Sequence, residues 1–176
     1  TGDHLTTVRD FTGREVVYAQ NANGDLISAR TPVVTGTPNG NDFPQGKTER
    51  YAYSSGHSDE KLNHNLLSVT APNEVAAGGP PRVQYIYAES GADLDRCIRQ
   101  VFGGTNASGI PAGGTASYQY ETLAAGPRGS VSKTTVTDRA GNVTEYFFNA
   151  AGQPLIIREH TRGLRPGDPS FYETNH

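Results

Sequence analysis

Apolar and aromatic residues gather in short runs along this chain, at Arg14–Gln20, Leu66–Thr70, Asp95–Val101, Lys133–Thr137, Asn142–Phe148 and Leu155–Glu159, and Gly, Pro, Asn, Asp or Ser cluster between them. Runs of this length between turn formers predict strands. A Tyr-x-Tyr signature marks further strands at Tyr51/Tyr53, Tyr85/Tyr87 and Tyr118/Tyr120, and Tyr146-Phe147-Phe148 continues the series. Alternate residues of a strand share a face, so each pair sends two rings to one side. There, together with Tyr18, they are expected to form an aromatic ladder across neighbouring hairpins. No long segment has an apolar period of 3.6. The nearest is Ser58–Leu67, where Asp59-Glu60-Lys61-Leu62 starts one short helical turn. Loop formers dominate Thr31–Gly46, Ala71–Pro81, Gly103–Thr115 and Leu123–Ser130, which read as insertions between hairpins.

Two distant segments match position by position, residues 10–27 and 138–157. Counting from Asp10 and from Asp138, Gly falls at +3 (Gly13, Gly141), Tyr at +8 (Tyr18, Tyr146), Asn at +11 (Asn21, Asn149) and a second Gly at +14 (Gly24, Gly152). Asp or Asn opening a type I turn accepts local backbone hydrogen bonds, and a Gly three residues later takes the left-handed conformation of the bulge that closes a hairpin. Each Asp/Asn-x-x-Gly is therefore a hairpin tip, and the order tip, strand, tip makes an up-and-down antiparallel meander. Residues 47–137 read as degenerate copies carrying insertions, and residues 1–176 as one repeat segment.

Composition agrees with an all-β chain. Leu, Ile, Val and Phe make up only 33 of 176 residues, near the limit below which chains fail to bury enough apolar surface, yet a net charge of −3 argues against disorder. Nine tyrosines and 21 glycines suit half-buried strands joined by tight turns. Fifteen basic and 18 acidic residues are mixed along the length, so no footprint for nucleic acid or an anionic membrane is expected. No apolar stretch is long enough to span a bilayer as a helix. The start lacks an initiator Met and a leader pattern, so the chain reads as an excerpt of a longer one.

At these residues the chain resembles the RHS or YD-repeat family, whose loose consensus is Tyr-Asp-x-x-Gly-Arg/Asn-Leu/Val-Thr. The likeness rests on Gly141-Asn142-Val143-Thr144 followed by Tyr146 to Gly152, with Phe148-Asn149 standing where the family has Tyr-Asp, and on Gly13-Arg14 through Gly24. Asn65–Thr70 and Asp95–Gln100 resemble degenerate units, and Thr161–Gly167 resembles inter-repeat sequence of bacterial members. The resemblance implies a spiralling β-sheet that builds a hollow shell, as in bacterial RHS toxins, the BC component of insecticidal toxin complexes and teneurins. It also implies secretion or surface display, neighbouring repeats of the same parent chain as partners, and either an enclosed toxin domain or a role in cell-surface interaction. The long insertions and few intact units depart from the family pattern.

Chemistry adds little to that picture, and no enzyme and no cofactor are expected. His57 and His64, seven apart beside Asp59 and Glu60, lack the tight spacing of metal ligands and read, like His4, His160 and His176, as solvated. Cys97 reads as packing rather than nucleophile. Asn21–Asp25 resembles the start of a calcium loop, but Pro32 stands where a bidentate Glu is needed. Asp10 and Asp138, a tempting pair of acids, occupy equivalent turn positions instead. Asn106-Ala107-Ser108 and Asn142-Val143-Thr144 fit the glycosylation pattern incidentally. The function expected is a structural segment. The alternative is a carbohydrate- or protein-binding β module that uses exposed tyrosines, or the loops Thr31–Gly46 and Gly103–Thr115.

Overall fold

The computed structural model describes residues 4–40, 42–104, 113–163 and 165–176. It is all-β, with twelve strands following one another in one sheet order: β1 Thr7–Arg9, β2 Glu15–Gln20, β3 Leu26–Arg30, β4 Thr48–Tyr53, β5 Leu66–Thr70, β6 Val83–Tyr87, β7 Cys97–Phe102, β8 Thr115–Thr122, β9 Ser132–Thr137, β10 Val143–Phe148, β11 Pro154–His160 and β12 Phe171–Asn175. The defined registers between neighbours are all antiparallel, so the chain is a meander of hairpins. Contacts divide it into two compact units, one reaching Tyr85 and taking in Phe102–Gly104, the other holding Ile86–Val101 and the chain from Gly113 onward.

In the first unit Tyr18 stands opposite Ala29, Ala29 opposite Glu49, Tyr51 opposite Val69, and Val69 opposite Val83. With side chains alternating along each strand, Tyr18, Tyr51, Tyr53 and Tyr85 share one face. The opposite face carries Val17, Arg30, Thr48, Arg50 and Thr70. Leu62 is buried here, in a 3-10 turn Glu60–Leu62 whose N-cap Asp59 accepts a hydrogen bond from the Lys61 N–H. This is the short helical turn expected at Asp59–Leu62. The loop expected over Ala71–Pro81 instead contains a helix, α1 (Pro72–Ala77). Pro72 supplies the pre-set φ of a first helical turn, and Gly78 ends the helix at φ +65°, its N–H reaching the Glu74 and Val75 carbonyls.

In the second unit Ile156 is 1% exposed and stands opposite Phe147 at 4%, and Val101 and Ala116 complete its buried apolar set. Phe147, Ile156, Lys133, Glu145 and Arg158 lie on one face, while Tyr118, Tyr120, Tyr146 and Phe148 lie on the other. The strands at the two ends of the order are the least covered: β1 is exposed throughout and β12 at four of five positions. Among the described residues only five apolar side chains are buried. That small number follows from a chain poor in Leu, Ile, Val and Phe.

Candidate functional site

The four tips of the matched segments are closed by one and the same set of bonds. In the first, the Asp10 carboxylate accepts the N–H groups of Thr12 and Arg14, Gly13 donates to the Asp10 carbonyl, and Asp10 donates to the Arg14 carbonyl. Asn21 repeats this with Asn23, Asp25 and Gly24; Asp138 with Ala140, Asn142 and Gly141; Asn149 with Ala151, Gln153 and Gly152. The glycines stand at φ +87°, +89°, +81° and +75°, conformations that a Cβ strains. A fifth element was not read from the sequence: the side chain four residues on clamps the first. Arg14 bonds Asp10 at 2.8 Å, Asn21 bonds Asp25 at 2.8 Å, Asn142 bonds Asp138 at 2.7 Å and Asn149 bonds Gln153 at 3.1 Å. Hydrogen bonds from the Thr12 hydroxyl above all, and from Arg14, hold the Asp10 carboxyl well below the usual range against desolvation. The Asn142 amide does the same at Asp138. In each copy a register shift follows the aromatic strand, between Ala19 and Gln20 and between Phe147 and Phe148, so the repeat extends to its bulge.

Three of the aromatic residues, Tyr51, Tyr118 and Tyr120, donate hydrogen bonds through their hydroxyls. Tyr146 and Phe148 stack with centroids 6.4 Å apart. Tyr118 donates to Gln100 at 3.0 Å, Tyr120 to the Cys97 carbonyl at 2.6 Å, and Tyr51 to Glu49 at 2.7 Å. Burial first, then the Glu49 carboxylate, pushes the Tyr51 hydroxyl up to about 12. Tyr53, Tyr85 and Tyr87 are half-buried. Burial likewise raises the Cys97 thiol, which keeps it in its unreactive form.

His64 is not simply solvated. It adopts φ +67°, and its Nδ1 lies 2.6 Å from Oδ1 of Asp25, a carboxylate only 8% exposed. Bonds from Asn21 and then His64 hold Asp25 below its ordinary value. His57 is fixed separately, through its backbone to Asn63. Among the described residues no group of three or more metal-ligating side chains converges. Asp10 and Asp138 are each saturated within their own turns. The Asn142 amide is engaged by Asp138, and Asn106 lies outside the described residues, as do Leu164 of the inter-repeat stretch and most of the Gly103–Thr115 loop.

A cross-strand ion-pair ladder went unread in the sequence. Lys133 Nζ lies 2.8 Å from Glu121 and 3.1 Å from Glu145, whose other oxygen lies 3.0 Å from His160 Nε2. Arg158 meets Glu173 at 2.8 Å, with its guanidinium 4.8 Å from the centroids of both Phe147 and Phe171. Burial pushes the Glu145 carboxyl up, but hydrogen bonds from His160 and Lys133 outweigh it and hold it low. Arg158 thus lies over the buried Phe147, and the paired charges share the face that carries Phe147 and Ile156.

The described residues of the insertion Thr31–Gly46 are joined by bonds of their own. Val34 and Phe43 exchange backbone hydrogen bonds at 3.0 and 2.7 Å, and the Asp42 carboxylate accepts the Gly36 N–H and both the N–H and hydroxyl of Thr37. Gly46 sits at φ +80°, where a Cβ would run into the Thr31 carbonyl. Three cavities adjoin Phe43–Gln45. One of about 440 Å³ is lined by Arg14, Glu15, Val17, Arg30, Pro32 and Pro44. One of about 300 Å³ is lined by Phe43, Lys47, Pro72, Glu74 and Arg82. One of about 250 Å³ is lined by Phe43, Pro44, Pro72, Val75 and Ala76. No family model matches the chain, and no curated protein matches it. What the geometry itself defines is an antiparallel β-meander with self-closing hairpin tips.

Proposed function

We propose that this chain is a non-catalytic structural segment of a large secreted or surface protein of the RHS/YD-repeat kind. Its hairpins continue into neighbouring repeats of the same parent chain and help build a β-shell or scaffold, which either encloses a toxin cargo or acts in cell-surface interaction. The observation that carries the reading is the identity of the four hairpin tips, bond for bond, in segments more than a hundred residues apart. The sparse core supports it as well, because repeat units bury their faces and edges against neighbours rather than alone. The strands at the ends of the order, β1 and β12, offer backbone edges on which further strands can pair.

The test is the mass of the native polypeptide that contains this segment, with peptide mapping of whatever flanks it. A chain several times larger, with further Asp/Asn-x-x-Gly tips on both sides, is the expected result. A native chain of about these 176 residues overturns the scaffold reading. A protein-binding β module, favoured by the three cavities around Phe43–Gln45, then takes its place.

A further inference from the structure

We draw no further inference here: the strongest candidate, the notch between the insertion Thr31–Gly46 and α1, is lined by the Asp42 carboxylate as well as by Phe43, Pro44, Pro72, Val75 and Ala76, and nothing in the structure shows what covers it.

Discussion

The two matched segments share every backbone feature and differ in what they bury. Ala19 faces Ser28 across the first hairpin, and at the equivalent positions of the second, Phe147 faces Ile156. Ala19 is exposed and Ser28 half-buried, whereas Phe147 and Ile156 are the two most buried apolar side chains of the chain's described part. Tip geometry, bulge position and register are nonetheless the same. The backbone of this hairpin is thus set by Asx and Gly at its tips, and packing is a separate variable that each copy settles by its own surroundings.

The comparison breaks most severely where packing is removed. Ile156→Ala is expected to destabilise the protein by about 2–5 kcal/mol, while Ser28→Ala stays within about 0.5 kcal/mol, both measured by chemical denaturation. Next come the tips. Gly13→Ala and Gly141→Ala each force a Cβ into a left-handed conformation and are expected to cost about 1–2 kcal/mol. The two costs should be similar, and a clear inequality would show that packing does reach the tips.

Acidification sharpens the contrast within each copy, since Asp10 and Asp138 open the first tips while Asn21 and Asn149 open the second. The folded chain holds both aspartates below the ordinary carboxylate value of about 3.9. Their contribution is therefore present above that value and lost as pH falls through the lower folded values. Protection of the Arg14 and Asn142 amides, taken relative to their intrinsic exchange rates at each pH, should fall on acidification, and that of Ala151 and Gln153, bonded to an amide that does not titrate, should change less. The smallest effect is expected of Ala19→Phe, within about 0.5 kcal/mol by denaturation, because the added ring finds little to cover it.

Elements signalled by residue type over a few positions were legible in the sequence. The tips follow from Asx and Gly alone, and β5 spans the predicted Leu66–Thr70. β3, with Leu26-Ile27-Ser28-Ala29-Arg30, was missed because its apolar alternation is broken by the bulge. β1 and β12 were missed because exposed strands carry little apolar signal. α1 hid among loop formers, since Pro72 and Gly78 mark a helix start and stop as readily as a loop. The ion-pair ladder and the Asp25–His64 pair depend on which residues stand opposite after folding, and no spacing along the chain encodes that. The two cavities that Phe43 shares with Pro72 likewise need α1 beside the insertion.

Because each tip is closed by bonds among its own five residues, it makes no demand on the rest of the chain. Hairpins of this kind can be duplicated or lost in pairs of strands without reversing the direction of those that follow. Insertions between them add only a slowly growing closure entropy, about 0.6 kcal/mol for each doubling of loop length. Change in length then acts on the hairpin as its unit, which leaves connections such as Thr31–Gly46 free to differ from the tips.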